Sequence, residues 1–400
     1  MLHLIGDALR RNPYPLYRFM RFASPVLHPP GRDLWMVFDH ANVKRAIEDR
    51  ESFSSRAAPP GDSPLEWMIF LDPPRHTKLR AIVTRTFTPR AIATLEPTVR
   101  ALSTELLDRV IDRGTMDLVS EYATPLPLAV ISAMLGLPPG AEPQLERWTD
   151  AILGLGEAIH GGERAARAAR LYADARAEME PYLAVLLDER RTAPKDDLLT
   201  RLLQAEVDGE HLSDQEMLDF FLLLLVAGVE TTTNLISNAM LCLLAHPDQL
   251  SLVRARPDLI PSAIEEVLRY RSPLQMVFRA TTRDIVMGRH RIPAGKLVLA
   301  MIGSANRDEA RIPNAGRFDI TRAMDAHLAF GHGIHFCLGA ALARLEGRVA
   351  IGDLVTRLRN PRLAEGRRWE PRNGINVHGP RRLALRFEAD SGVSRPRGST

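Results

Sequence analysis

The chain has 400 residues, 45% of them hydrophobic and 25% charged, which is the composition of an ordinary soluble globular protein with a large core. Its formal net charge of +3 is small and is not concentrated in one block, which argues against a nucleic-acid-binding protein. The two cysteines form neither a CxxC pair nor a disulfide framework, so a reducing, cytoplasmic compartment is expected.

No segment of the sequence predicts a membrane association. The amino-terminal stretch MLHLIGDALRRNPYPLY lacks the apolar core of a signal peptide. The most apolar run, FFLLLLVAGV at 220–229, is far shorter than the roughly 20 residues that a membrane span needs. We therefore expect a protein that has no membrane partner.

Helical periodicity dominates the chain and predicts a mainly α fold with small β-sheets. The segments with helical periodicity are 41–50, 90–113, 163–190, 213–245 and 338–358. The short β-like segments are 34–38, 283–299 and 375–387. Because no repeat or low-complexity linker divides the chain, we expect a single domain over residues 1–388 and a frayed polar tail over residues 389–400.

The stretch DPPRHTKLR at 72–80 is the first that suggests a ligand. Asp72 followed by Pro73 is typical of a helix start. His76 and Arg80 then lie four residues apart and share one helical face, where two cationic groups repel unless an anion lies beside them. Each residue alone could equally be a solvated surface group.

The segment 213–245 predicts a long central helix. Ser213 and Glu216 have the spacing of a capping box, and Pro247 should end the helix. The run at 220–229 is apolar on all faces and should be buried. A glutamate and a threonine, Glu230 and Thr231, follow directly in the middle of this helix and need an explanation.

The stretch FGHGIHFCLG at 330–339 contains one of the two cysteines, Cys337, just before the helical segment 338–358. Free backbone N–H groups and the positive end of the helix dipole should favour its thiolate. Gly331 and Gly333 allow a tight turn, and Gly339 leaves room for a flat group to approach. A small buried thiol is the ordinary alternative, and it suits Cys242 better than Cys337.

Two further alternatives exist for Cys337. A zinc site could include His332 and His335, although the usual second cysteine or helical histidine pair is missing. A cysteine hydrolase could use His335 as its base, although such partners normally come from distant parts of the chain.

The stretch FGHGIHFCLG resembles F-G-x-G-x-H-x-C-x-G, the haem-binding loop of the cytochrome P450 family, in which a cysteine thiolate holds the haem iron. The resemblance extends in motif order over about residues 10–387. It implies a single cytochrome P450-type fold with the haem between the long central helix and the cysteine loop and its following helix. It also implies that Cys337 is the proximal ligand of haem b (heme b), with Phe330 packed against the sulfur.

The motif AGVETT at 227–232 resembles A-G-x-[DE]-T-T of the same family. The resemblance implies that Gly228 lets haem and oxygen approach the helix, that Thr231 bonds the bound dioxygen, and that Glu230 relays protons. The alternative is that the Thr231 hydroxyl bonds back to the Ala227 carbonyl while Glu230 is solvated.

Two other motifs complete the resemblance. EEVLR at 265–269 resembles E-x-x-R, which implies a structural ion network of Glu266, Arg269 and a third charge, Arg317 in GRFDITR. The H-x-x-x-R of His76 and Arg80 resembles the family's propionate-binding pair. Arg279 and His335 match two more propionate partners.

The activity implied is that of a monooxygenase, which inserts one atom of O2 into a hydrophobic small molecule. No complete dinucleotide fingerprint is present, so NAD(P)H-derived electrons should come through a ferredoxin and a ferredoxin reductase. Arg85, Arg344 and Arg348 could steer such an acidic partner to the face near Cys337 of a monomer. A peroxide-dependent peroxygenase and a non-catalytic haem- or ligand-binding protein remain as alternatives.

By position in the family, the substrate pocket draws on largely apolar residues, so a hydrophobic substrate is expected. They are Trp67, Met68, Phe70, Leu223, Ala227, Leu274, Val277 and Ile375. The segment 151–180 is expected to form a mobile lid. Terpenoid, polyketide, steroid and fatty-acid substrates all stay open, and any one of these side chains could be plain core packing.

Overall fold

The computed structural model describes residues 6–56, 67–155, 162–323, 327–364, 368–372, 374 and 376–389. Helices dominate the described residues and the sheets are small, as the periodicity predicts. The helices are α1 (Asp7–Arg11), α2 (Tyr14–Ala23), α3 (His40–Glu48), α4 (Arg75–Thr84), α5 (Pro89–Ala93), α6 (Glu96–Asp108), α7 (Pro125–Leu135), α8 (Glu142–Gly154), α9 (Gly162–Thr192), α10 (Leu198–Gln204), α11 (Asp214–Ala245), α12 (Pro247–Ala255), α13 (Ile260–Tyr270), α14 (Ile302–Ala305) and α15 (Ala340–Arg357). The strands are β1 (Val26–Leu27), β2 (Leu34–Val37), β3 (Phe53–Ser54), β4 (Thr115–Asp117), β5 (Val277–Thr281), β6 (Ile285–Met287), β7 (His290–Ile292), β8 (Leu297–Ala300), β9 (Arg359–Leu363), β10 (Glu370–Pro371), β11 (Pro380–Arg382) and β12 (Ala384–Glu388).

The long helix α11 is the axis of the helical part. Its predicted capping box is present: Ser213 Oγ accepts a hydrogen bond from Glu216 N, and Ser213 N donates to Glu216 Oε2 at 3.0 Å. The helix has 32 residues and is therefore about 48 Å long. It packs against α7, α8, α13 and α15, so the site residues in its middle lie deep in the fold.

α11 is also the one described helix that is long and apolar enough to cross a membrane by length and composition. Of its most apolar window, 67% is buried inside the protein. That degree of burial is typical of the core helix of a soluble fold.

The largest sheet positions one wall of the site. Its strand order is β1-β2-β8-β5-β3, with β2 and β8 parallel and the other neighbours antiparallel. The register pairs Ser54 of β3 with Ala280 of β5. This pairing places β3, whose Ser54 binds Asp72 just before α4, next to the strand residue Arg279, which precedes Ala280. The smaller sheets are β4-β12-β9, β6-β7 and β10-β11.

The predicted start of α4 at Asp72 is wrong. The helix begins at Arg75, its N-cap position is Pro74, and no side chain caps it. The Asp72 carboxylate instead accepts hydrogen bonds from Ser55 N at 2.9 Å and from the Ser54 hydroxyl. Asp72 therefore ties α4 to β3, a tertiary contact that overrides its local capping preference.

Three other expectations from the sequence are met only in part or fall outside the described residues. The predicted helix at 90–113 is divided into α5 and α6, followed by a short 3₁₀ turn at Ile111–Arg113. The predicted lid, 151–180, comprises the end of α8 and the first part of α9, with residues 156–161 outside the described part. Ile375 and all of the predicted tail except Ala389 also lie outside the described residues.

Candidate active site

The loop before α15 holds Cys337 in a tight turn. Gly331 and Gly333 have φ angles of 74° and 70°, a left-handed conformation that favours glycine. Cys337 N donates a 2.8 Å hydrogen bond to Phe330 O, which closes the loop. Cys337 is partly exposed, and a Cβ on Gly339 would meet no atom within 4 Å. The loop therefore leaves the room for a flat group that the sequence predicts.

The electrostatics of the Cys337 thiol differ from the prediction. Burial raises the pKa of the thiol, while a hydrogen bond from the Gly339 backbone and the charges of Arg80 and Arg344 lower it less strongly. The helix start alone therefore does not favour the thiolate. A bound metal ion does, because a coordinating thiol is deprotonated outright.

The four predicted propionate-binding residues converge beside this loop. The rings of His76 and His335 have centroids 4.1 Å apart, and His335 Nε2 lies 2.9 Å from Ser55 Oγ. Arg80 donates to the Phe336 carbonyl at 2.6 Å, and Arg279 is buried in β5. α4, β5 and the cysteine loop each contribute to this group, as the resemblance implies.

This cluster is short of negative charge. Burial lowers the pKa of His76 to about 4 and that of His335 to about 3, and neighbouring cations add to both shifts. Burial also lowers the pKa of Arg279 to about 10, and the Asp72 carboxylate opposes the change. His76 Nδ1 is buried without a hydrogen-bond partner among the described residues. These groups fit the carboxylates of a haem, which would supply the missing acceptors.

The middle of α11 contains the motif AGVETT at 227–232. Ala227 is exposed although most of α11 is buried. The Thr231 hydroxyl donates to Ala227 O at 2.6 Å, which is the local bond considered as the alternative from the sequence. The hydroxyl oxygen still has lone pairs that can accept a hydrogen bond.

Glu230 is not solvated in the structure. Its side chain is 12% exposed, and its Oε1 lies 3.3 Å from Arg372 Nη1. Burial raises the pKa of the Glu230 carboxyl, and the Arg372 charge lowers it in part. Arg372 also donates through Nε to Asn234 Oδ1 at 3.0 Å. Sequence reasoning missed Arg372, because it follows β10 and no local pattern links it to α11.

Gly228 makes room for a neighbouring helix. A Cβ at this position would lie 2.8 Å from Cδ1 of Ile131 in α7. The side-chain position of Gly228 therefore faces α7, and the exposed surface of α11 lies one residue earlier, at Ala227. The predicted role of Gly228 in letting haem approach has no support from this packing.

The predicted ion network is present with one correction. Arg269 binds Glu266 through two hydrogen bonds of 2.7 Å, and both side chains are buried. Arg317 was expected to supply the third charge, but its side chain is exposed and only its carbonyl accepts from Arg269, at 3.0 Å. Arg322 supplies the guanidinium instead, with Nε 3.4 Å from Glu266 Oε2. The turn at 317–322 places Arg322, rather than Arg317, toward Glu266.

The seven predicted pocket residues that the structure describes differ in their exposure to solvent. Trp67, Met68 and Leu223 are buried in the main core, whereas Ala227 is exposed. The others are partly exposed: Phe70, Leu274 and Val277. The Phe70 ring stacks on Trp67 and on Phe278, with centroids 6.0 and 5.5 Å apart, and so connects the turn at 68–70 to β5.

The zinc alternative is not supported. No group of three or more histidine, cysteine, aspartate or glutamate side chains that could hold a metal ion is found in the described part of the chain. His332 Nε2 lies 3.4 Å from Glu48 Oε1, and His335 faces His76.

The chain matches the family model described as Cytochrome P450 over residues 166–256 and 258–367. The chain belongs to the cytochrome P450 family. It is 40% identical over 363 residues to the vitamin D(3) 25-hydroxylase of Pseudonocardia autotrophica, which covers 88% of this chain and 87% of that protein. It is 40% identical over 371 residues to the cyclomarin C epoxidase CymV of Salinispora arenicola, which covers 90% and 93%.

A solved structure agrees with the fold. The crystal structure of CYP109E1 from Bacillus megaterium in complex with testosterone matches with a TM-score of 0.86 at 36% identity, covering 94% of this chain and 99% of that chain. The predicted cytochrome P450-type fold is therefore confirmed. This P450 is a haem-thiolate monooxygenase of hydrophobic small molecules, and its cofactor is haem.

Exchanging each of two arginines for glutamine tests the corrected ion network. We expect Arg322→Gln to lower the free energy of unfolding by about 2 kcal/mol, because Glu266 loses a cation and three carbonyl oxygens lose a donor. Arg317→Gln should change the free energy of unfolding by less than about 0.5 kcal/mol, since the exposed Arg317 side chain forms no hydrogen bond with the residues that the structure describes. Urea unfolding of the haem-loaded proteins measures both, and equal losses would contradict the assignment of Arg322.

A double-mutant cycle tests the packing role of Gly228. Gly228→Ala gains helix propensity but overlaps Ile131 Cδ1, and Ile131→Val removes that atom. We expect the effect of Gly228→Ala on the free energy of unfolding to be more favourable by about 1 kcal/mol in the Ile131→Val background than in the parent protein.

Gly352→Ala in α15 is the control for that cycle, because its Cβ would make only an ordinary contact at 3.5 Å. Its effect on the free energy of unfolding should be the same in both backgrounds. A Gly228→Ala effect that is independent of residue 131 would show that the glycine serves something other than the approach of α7.

Proposed function

We propose that Cys337 is the axial thiolate ligand of the haem iron and that His76, Arg80, Arg279 and His335 hold the haem propionates. The observation that carries this proposal is the convergence of these four side chains beside the cysteine loop. The buried, unpartnered Nδ1 of His76 supports it, since a propionate oxygen would give this atom a partner. Phe330 closes the loop through its carbonyl, and Gly339 leaves space on its far side.

Glu230 and Thr231 move the protons that the reaction consumes. When bound, the thiolate-ligated haem supplies the activation of O2. Burial raises the pKa of Glu230, so more of this carboxyl carries a proton near neutral pH than an exposed one would. The Thr231 hydroxyl is oriented by the hydrogen bond that it donates to Ala227 O. The lone pairs of its oxygen can accept a hydrogen bond from a donor on the exposed side of α11. Arg372 keeps the Glu230 carboxylate in place through its ion pair.

The substrate is a large hydrophobic molecule, hydroxylated or epoxidised by this P450. Two relatives at 40% identity are a vitamin D(3) 25-hydroxylase and a cyclomarin C epoxidase, and a structural neighbour binds testosterone. The accessible apolar side chains of Phe70, Leu274 and Val277 suit such a molecule.

Electrons reach the haem from NAD(P)H through a ferredoxin and a ferredoxin reductase. This P450 acts in the cytoplasm as a monomer, and one domain covers residues 1–388. Docking on the face near Cys337 is supported by exposed Arg348. The other two arginines predicted to attract the ferredoxin already form hydrogen bonds within the protein. Arg344 binds the Glu265 carboxylate, and Arg85 donates to the Glu206 carbonyl.

The carbon monoxide complex of the reduced protein tests the ligand assignment. We expect an absorption band at the long-wavelength position of thiolate-ligated haem, and its loss in Cys337→Ser. A band at the shorter position in the parent protein would refute Cys337 as the ligand. Faster turnover with hydrogen peroxide alone than with NAD(P)H and redox partners would favour the peroxygenase alternative.

The coupling of electron use to product formation tests Thr231. Thr231→Ala removes the hydroxyl, so we expect product per NAD(P)H consumed to fall about tenfold or more, with the balance appearing as hydrogen peroxide. Thr231→Ser keeps the hydroxyl and should retain most of the coupling. Because the oriented hydroxyl is held to be essential, an unchanged yield in Thr231→Ala would refute this role.

A further inference from the structure

A surface cavity of about 260 Å³ lies between α13, α15 and the segment before the cysteine loop. Three arginines, Arg322, Arg344 and Arg348, and one acid, Glu265, contribute to its wall. We call this cavity the arginine pocket. Its excess of guanidinium groups makes it a site for a carboxylate.

The three arginines differ in how firmly they are held. Arg322 is fixed by Glu266 and by the carbonyl oxygens of residues 313, 314 and 317. Arg348 is exposed and forms no ion pair with any residue that the structure describes. Arg344 is one third exposed and binds Glu265 through Nε at 2.7 Å and Nη2 at 2.9 Å. Its remaining N–H groups are available to a second carboxylate.

Glu265 connects this pocket to the cysteine loop in two ways. The guanidinium that it holds lies over the Phe330 ring, 4.5 Å from the centroid. Glu265 Oε2 also lies 3.1 Å from His327 Nε2, and His327 Nδ1 accepts a hydrogen bond from Ala329 N at 3.2 Å. Phe330 in turn accepts the Cys337 N–H through its carbonyl. A change in the Glu265–Arg344 pair therefore acts on the residues that begin and close the loop.

We propose that the arginine pocket receives a carboxylate of the electron-donor protein, which competes with Glu265 for Arg344 and so transmits docking to the Cys337 loop. This inference rests on the proposed function of the protein as a ferredoxin-dependent monooxygenase. Glu265 is then a positioning residue, which acts through Arg344, His327 and Phe330 and touches neither substrate nor cofactor.

The geometry allows this competition without disruption of the fold. The Glu265 side chain is 25% exposed, so its pair with Arg344 is reached by water and by a partner's side chain. The neighbouring Glu266–Arg269 pair is fully buried and keeps α13 in place whichever partner Arg344 has. An ion pair that water can reach is weaker than a fully buried one, so a change of partner at Arg344 costs less than one at Arg269 would.

The test measures two quantities with an acidic bacterial [2Fe–2S] ferredoxin as the probe. The first is its dissociation constant for the haem-loaded protein over a series of NaCl concentrations. The second is the change in the C–O stretching frequency of the ferrous carbon monoxide complex when ferredoxin is added. Variants are Glu265→Gln, Arg344→Lys and Arg348→Gln. Glu370→Gln is the control, because Glu370 pairs with Arg381 on the β10-β11 hairpin.

Glu265→Gln leaves the pocket without its acid and Arg344 without its anchor. We expect ferredoxin to bind about fivefold more tightly at low salt, with a steeper salt dependence, and its effect on the C–O stretch to be lost. Arg348→Gln should weaken binding by a similar factor and keep the spectral effect. Arg344→Lys keeps the charge but cannot hold the planar bidentate pair, so binding should persist while the spectral effect is lost.

Several outcomes overturn the proposal. One is an unchanged salt dependence in Glu265→Gln together with an intact spectral response. Another is a C–O response that survives in Arg344→Lys, a variant that remains informative if Glu265→Gln does not fold. Each protein is first checked for the thiolate band of its carbon monoxide complex. The absence of that band in the parent would refute the proposed function itself, whereas its presence with no ferredoxin effect in any variant refutes the arginine pocket alone.

Discussion

A buried ion pair holds the proximal half of this P450 together. Glu266 and Arg269, 0% and 1% exposed, are shielded from bulk solvent, and an ion pair in such surroundings is stable only if its other hydrogen-bonding groups are satisfied. Arg269 meets this condition by donating to the carbonyl oxygens of Asn306 and Ala315 as well as that of residue 317. Glu266 meets it by also accepting from Asp319 N at 2.9 Å.

The position of the cysteine loop follows from that pair. Asn306, whose carbonyl binds Arg269, accepts from Leu328 N through its side chain at 2.7 Å. Leu328 lies two residues before Phe330, and Phe330 O binds Cys337 N. The chain of bonds from the buried pair to the cysteine is therefore short, and apart from the buried side chains of Arg269 and Asn306 it consists of backbone groups. Rigid placement is what the role proposed for Cys337 as a metal ligand requires.

The sequence was sufficient for features whose cause is local. The capping box at Ser213 and Glu216 needs only residues three apart, and the turn at Gly331 and Gly333 needs only glycines. Family resemblance added the His76 and Arg279 positions, which are far apart in the chain. The family resemblance indicated Arg317 as the third charge and was wrong, because which arginine faces Glu266 depends on how a tertiary turn is oriented. Arg372 was missed for the same reason, since its partner Glu230 lies 142 residues earlier and on another element.

Two adjacent glutamates on α13 show how helix geometry separates a fixed contact from an adjustable one. Consecutive helical residues point about 100° apart, so Glu266 faces the core while Glu265 faces the arginine pocket. The Glu266 carboxylate binds groups that are themselves fixed in the core, and its pair with Arg269 has a structural role alone. Bonds from Arg344 and His327 outweigh burial and hold the pKa of the outward carboxyl at about 2, so it stays ionised at any physiological pH. Its charge is therefore constant, and what can change is the partner that shares Arg344 with it. The same helix thus supports the cysteine loop from inside, while its outward carboxylate, Glu265, holds Arg344 of α15, the cation that the proposed exchange involves.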